Sequence, residues 1–307
     1  MSAFDTLIIG EVALDTNVDY DGTTVQAIGG AVYYSGFAAA NIGHRTAVLP
    51  KADMTAEELR AAFAQAPNVT VYPLPSRASF VTKNVYHTPD RERRTSTVSS
   101  MIDPYRPEEI PAVDAAVWHL AGLVRGDLPN ELIPYAAKHA QVAIDVQCML
   151  RCVENGGMVY HDWAEKKELL PYVRFLKTDA AEAEILTGLT DRAEAAKLLY
   201  SWGAKEIMIT HNSEVLVYDG REIYTCPVPE PLRPHRAGRH HLCRVHQRTA
   251  HPRCANGPPH GHGAGLPEDG DPRPLPGDPG GRGGIPEGIL LRTRESTAPA
   301  VLSAWRK

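Results

Sequence analysis

No phenylalanine or tyrosine follows Glu230, and the one lysine beyond it is Lys307. A stretch so poor in large apolar side chains cannot bury enough surface to offset the entropy of ordering it. No segment of the chain holds the roughly 20 apolar residues of a bilayer span. Met1 to Gly10 lacks both a basic start and a long apolar run, so a cytoplasmic protein with no membrane partner is expected. Cysteine is sparse: Cys148, Cys152, Cys226, Cys243 and Cys254 are the five in 307 residues. Without a secretion signal they argue against a disulfide framework and for reduced thiols. The net charge of −5, with 22% charged residues, offers no field that would recruit nucleic acid,.

What is present divides sharply. Residues 231 to 307 hold 12 of the 25 glycines, 12 of the 25 prolines and 7 of the 13 histidines, and little regular structure is expected there. Residues 1 to 230 alternate short β-branched runs with amphipathic stretches. Thr6 to Gly10 (TLIIG), Ala115 to Leu120 (AAVWHL), Gln141 to Val146 (QVAIDV), Val173 to Lys177 (VRFLK) and Glu206 to Thr210 (EIMIT) read as buried strands,. Helices are predicted over Ala31 to Ile42, Leu128 to His139, Ala180 to Leu186 with a stop at Gly188, and Asp191 to Trp202,. That rhythm predicts an α/β layer sandwich with a mainly parallel sheet. Ser79 to Ser99 alternates on either side of the polar turn HTPDRE, which predicts an antiparallel hairpin outside the main sheet,. Asp145 and Arg151, in DVQCMLR, follow a strand, where α/β folds place ligand contacts,.

The order of these pieces resembles the ribokinase (PfkB) family of carbohydrate and nucleoside kinases. The matches are GEVALD at Gly10 to Asp15, GGAVYYSGFAAANIG with its glycine pair Gly29 and Gly30, and KTDAAEAEILTG at Lys177 to Gly188. The resemblance implies a ribokinase-like three-layer sandwich over 1 to 230, with a small β lid formed by about 13 to 30 and 79 to 99. It implies sugar contacts from Asp15, Gly29, Gly30, Tyr34 and Asn84, joined by Asp145 and Arg151. It also implies a nucleotide and magnesium network of Lys177, Asp179, Glu182 and Thr210, with ATP and Mg2+ as cofactors. Lids of this family pair subunits, so a homodimer through the lid is expected.

Three departures stand beside these matches. GGAVYY replaces the GGKGAN of ribose kinases, which argues against ribose. Asp179 replaces the family's asparagine. THNSEV at Thr210 to Val215 lacks the glycines of the TxGxxG nucleotide loop. A fourth is larger: the family's GxGD turn, whose aspartate is the catalytic base and whose amides form an anion hole, is absent, so no catalytic residue is assigned. Where it is due stands PHRAGRHHLCRVHQRT, at Pro234 to Thr249. Regrouping bases by one position, with permitted codon choices, turns this stretch into RTGRGDTTFAAYINER. The same shift turns His260 to Gly281 into TATALVSLKMETPGPFRGTRED, so 231 to 307 reads as out of frame. The histidines and cysteines of that tract fit no standard zinc spacing, and no metal site is assigned.

The expected parent activity is ATP-dependent phosphorylation of a sugar hydroxyl, doubtful in the chain as written because the base is missing. Two rivals stay open: a nucleoside kinase, with Tyr33 or Tyr34 as stacking partner, and a non-catalytic sugar-binding or regulatory protein of the same fold.

Overall fold

Leu7, Ile8 and Ile9 are all fully buried, which an alternating strand permits only when both faces of its sheet are covered. The computed structural model describes residues 2 to 66, 68 to 89, 91 and 93 to 228; the expectation of a disordered tail over 231 to 307 lies outside them. The chain forms β1 (Phe4–Glu11), β2 (Ala13–Val18), β3 (Thr24–Gly29), α1 (Ala31–Asn41), β4 (Thr46–Ala52), α2 (Ala56–Ala62), β5 (Val69–Val71), β6 (Leu74–Pro75), β7 (Phe80–Tyr86) and β8 (Arg94–Ser100). There follow β9 (Ala115–Leu120), α3 (Leu132–Ala137), β10 (Gln141–Asp145), α4 (Gln147–Leu150), β11 (Arg151–Glu154), β12 (Gly157–Tyr160) and α5 (Lys166–Leu169). Last come β13 (Val173–Asp179), α6 (Ala180–Thr187), α7 (Arg192–Ser201), β14 (Glu206–Thr210), β15 (Glu214–Tyr218) and β16 (Ile223–Pro227).

The main sheet runs β16-β15-β14-β13-β10-β9-β1-β4-β5, with β6 also on β4. It is parallel from β5 to β14, and β15 and β16 close it as an antiparallel meander. Alternation along β1 and β4 sorts side chains into two cores. Leu7, Ile9, Ala47 and Leu49 join Leu120, Leu132 and Leu176 on one face. Ile8 and Val48 meet Val32, Tyr33, Leu59 and Phe63 on the other, under α1 and α2. These are the two outer layers of the expected sandwich.

A second sheet, β11-β12-β8-β7-β2-β3, stands apart from the first. The β7–β8 hairpin is antiparallel as the turn chemistry predicts, while β2 lies parallel to β7 in register from Ala13 with Phe80 to Val18 with Val85. The β11–β12 hairpin joins this lid through Gly157 and Thr97, an addition the sequence does not announce.

The elements read from the sequence match in their bounds to within two residues, with one exception, while β4, α2, β5, β6, α4, α5, β15 and β16 are not among them. The exception is the helix expected from Leu128, which begins only at Leu132. Pro134 is the reason: its ring nitrogen cannot donate to a carbonyl one turn back, so proline is tolerated only in the first turn. Starting at Leu132 puts Pro134 there.

Candidate active site

A cavity of about 590 Å³ opens between the lid and the carboxyl ends of β9, β10 and β13. Six of the seven residues expected to contact a sugar line it: Asp15, Gly30, Tyr34, Asn84, Asp145 and Arg151, and Lys177 lines it too. Gly29 does not line it but shapes it, because a Cβ there would stand 2.2 Å from Asp15 Oδ2. Gly30 has φ +102, and a Cβ there would lie 2.3 Å from the carbonyl oxygen of Glu11. Only glycine allows this approach of the α1 N-terminus to β1.

The lid supplies the roof. Alternation on β2 and β7 turns Asp15, Asn17, Thr82, Asn84 and Tyr86 to the cavity. Thr82 Oγ1 donates to Asp15 Oδ1, Asn84 Nδ2 donates to Asn17 Oδ1 at 3.2 Å, and Ser96 Oγ donates to Asn84 Oδ1 at 2.7 Å. Burial raises the pKa of Asp15, against the pull of the Thr82 hydroxyl and Arg94. Burial, with Asp15 as neighbour, pushes the Tyr34 phenol up to about 12, so it stays protonated and able to donate.

The floor carries buried charge. Lys177 Nζ pairs with Asp145 Oδ2 at 3.0 Å, and Arg151 Nη2 reaches Glu182 Oε1 at 3.4 Å. Burial alone would lower the pKa of Lys177, but Asp145 and Glu182 outweigh it and hold it above the usual lysine value. Burial raises Glu182, opposed by Lys177. Among the described residues, Arg151 Nε is buried with no hydrogen-bond partner. His119, also on the cavity wall, is drawn down to about 4 by burial and is neutral at pH 7.

Asp179, Glu182 and Thr210 stand behind the cavity and do not line it. Asp179 caps α6: its Oδ1 accepts from Glu182 N at 2.8 Å, and Glu182 Oε2 accepts from Asp179 N at 3.0 Å. This reciprocal box accounts for an aspartate where the family has asparagine, since the two residues cap helices equally well. Thr210 Oγ1 leans on the carbonyl of Thr178 at 3.5 Å. The THNSEV stretch is a tight turn between β14 and β15, with Val215 fixed in β15 opposite Thr210 and Cys226.

Sequence reasoning missed Thr82, Ser96 and His119. The period of two in FVTKNVY places Thr82 on the face of Asn84, so that residue was legible in principle. Ser96 shares that face because it pairs with Asn84 across the β7–β8 hairpin, whereas His119 reaches the cavity through the packing of lid on sheet, which no local pattern encodes. Among the described residues, no cluster of three or more His, Cys, Asp or Glu is arranged to hold a metal, and no helix is long and apolar enough to cross a membrane.

Glycines at the mouth of a helix, an acidic residue under a β lid, and a parallel sheet feeding the cavity from its carboxyl ends are the arrangement of a sugar or nucleoside kinase fold. No protein-family model matches the chain. A solved pyrophosphate-dependent kinase in the ribokinase family is 32% identical, over 73% of this chain and 79% of that one, with a TM-score of 0.67. A pyrophosphate-dependent myo-inositol-1 kinase, converted by two substitutions into a myo-inositol-3 kinase, is 31% identical over 72% of this chain and 76% of that one, at TM-score 0.65. A cytidine kinase of Thermococcus kodakarensis is 27% identical over 237 residues, 74% of this chain and 82% of its own length. The chain belongs to the ribokinase family, a family of phosphotransferases.

Proposed function

We propose that the cavity binds a small polyhydroxylated ring, a sugar or cyclic polyol, and that the parent enzyme phosphorylates one of its hydroxyls. The observation that carries this reading is the ladder of polar groups on the lid face: Asp15 with Thr82, then Asn17, Asn84 and Ser96 in one hydrogen-bonded row. Adjacent hydroxyls of a ring match such a row of donors and acceptors. The exchange of an asparagine and a serine for leucines is what converts the similar inositol kinase. Asn84 and Ser96, paired at 2.7 Å in the roof, are likewise an asparagine and a serine in the cavity wall, and in this reading they take part in choosing the hydroxyl. Tyr34, Asp145 and Arg151 complete the contacts in this reading, with Gly29 and Gly30 opening the space.

ATP with Mg2+ is the donor that the family resemblance implies. The turn at THNSEV favours pyrophosphate instead: Asn212 and Val215 stand where glycines would let a nucleotide approach the backbone, and Val215 is held in β15. The partnerless Nε of Arg151 and the neighbouring Lys177 suit a phosphate of either donor. Both oxygens of Glu182 are engaged by protein groups, so Asp179 and Glu182 fit magnesium held through its water shell.

The proton of the attacking hydroxyl needs an acceptor. The family's GxGD aspartate has no counterpart in the written sequence, and we read residues 231 to 307 as the product of a shifted frame. Sequencing the gene across the codons for Cys226 to Arg244, then assaying written and repaired chains with sugars, inositols and nucleosides against ATP and pyrophosphate, tests the proposal. Phosphorylation of a single-ring polyol by the repaired chain alone is the expected result. An intact frame favours the second reading, a binding protein that keeps the acceptor cavity without turnover. We also propose that the outward face of the lid, where Leu14 is 36% exposed, joins two copies.

A further inference from the structure

The cavity extends past the groups assigned to the acceptor ring. Along β2, every second residue faces it, and two residues advance a strand by about 7 Å. From Asp15 to Asn17 is therefore about the breadth of one hydroxylated ring. Asp19 lies about 13 Å from Asp15 on the same measure, at the tip of the β2–β3 hairpin, and still lines the cavity. Because β7 runs parallel to β2, the β7–β8 tip reaches the same end and brings Tyr86 and Arg91 there.

That end is closed by the protein itself. Arg91 Nε donates to Asp19 Oδ1 at 3.2 Å and its Nη2 donates to Asp19 Oδ2. The guanidinium lies over the Tyr86 ring, 4.9 Å from its centre. Arg91 holds φ at +61, a region that arginine rarely adopts,. A strained backbone, a two-point ion pair and a covered aromatic ring all fix one side chain in one place. The Tyr86 face is the platform on which a nucleobase would stack, and it is already occupied.

We propose that Arg91, held by Asp19, is a stop that limits the acceptor to a single ring and excludes nucleosides. This rests on the acceptor cavity proposed above. Among the described residues, those that line the cavity fall between Ala13 and Lys177, so the chain as written is the test material. Isothermal titration of the full chain with myo-inositol, ribose and cytidine should show heat with a single-ring compound and none with cytidine. In Arg91→Ala the ratio of cytidine affinity to single-ring affinity should rise at least about tenfold. Asp19→Asn keeps the volume but releases the guanidinium, and should move the ratio the same way by a smaller factor. Wild-type chain that binds cytidine as tightly as a single ring, or two variants whose ratio does not move, overturns the stop. Wild-type chain that binds neither class overturns the acceptor cavity itself.

Discussion

Gly29 and Gly30 are neighbours under different constraints. At Gly30 the φ of +102 and the Glu11 carbonyl 2.3 Å from a Cβ both involve backbone, so Gly30→Ala should destabilise the fold by about 1–3 kcal/mol in chemical denaturation. At Gly29 the obstacle is the movable carboxylate of Asp15. Gly29→Ala should leave the unfolding midpoint nearly unchanged while weakening acceptor binding about tenfold, since Asp15 is displaced from Thr82. His119 gives a pH signature. Its value falls from 6.5 to about 4 on folding, so between these pH values the unfolded chain holds a proton that the folded chain refuses. Acidification through this window therefore favours unfolding, by about 3 kcal/mol when complete. The raised carboxyls Asp15 and Glu182 act in the opposite sense, so the measurement is the difference between the stability curves of wild type and His119→Gln. The variant should lose this acid sensitivity.

At the scale of elements, α6 ties the site to the sheet. Its capping box joins Asp179 to Glu182, and Glu182 extends to Arg151 on the cavity wall. Asp179→Asn should keep the cap and change stability by less than about 0.5 kcal/mol, whereas Asp179→Ala should cost about 1 kcal/mol. Urea denaturation distinguishes the two. The Lys177 and Asp145 pair bridges β13 and β10 out of water. Removing one partner leaves a buried charge alone, so Lys177→Met should destabilise by about 3–5 kcal/mol, and adding Asp145→Asn should recover part of the loss in a double-mutant cycle.

At the largest scale the described residues form a main sheet with helices on both faces and a lid of six strands. The β2–β3 hairpin is expected from the family resemblance, and the β7–β8 hairpin follows from alternation and turn chemistry in FVTKNVY and HTPDRE. Their parallel register, with Asp15 opposite Thr82 and Asn17 opposite Asn84, does not, because pairing between segments 67 residues apart is chosen by how both pack over the main sheet. The lid-to-lid homodimer proposed above should appear in sedimentation equilibrium and dissociate in Leu14→Lys, since a lysine buried between two joined lids would be desolvated without a partner.

The sequence alone made legible the α/β class and the bounds of β1, β9, β10, β13 and β14, of the β7–β8 hairpin and of the larger helices, while the family resemblance pointed to residues that line the cavity. Those features are local: period-two and period-3.6 apolar patterns, the glycines that only positive φ or close approach requires, and the Asp179 and Gly188 signals at the two ends of α6. It also exposed the change of character after Glu230, which is a matter of composition. The tertiary structure decided which of these residues meet. It set Asp179 and Glu182 behind the cavity instead of in its wall, brought His119 into that wall, and closed the far end with Arg91 on Asp19 and Tyr86. Arg91 meets Asp19, 72 residues away, through the pairing of β2 with β7 inside the lid, and His119 meets the lid residues across the cavity; the energies that choose such pairings belong to buried surface and charge shared between distant segments.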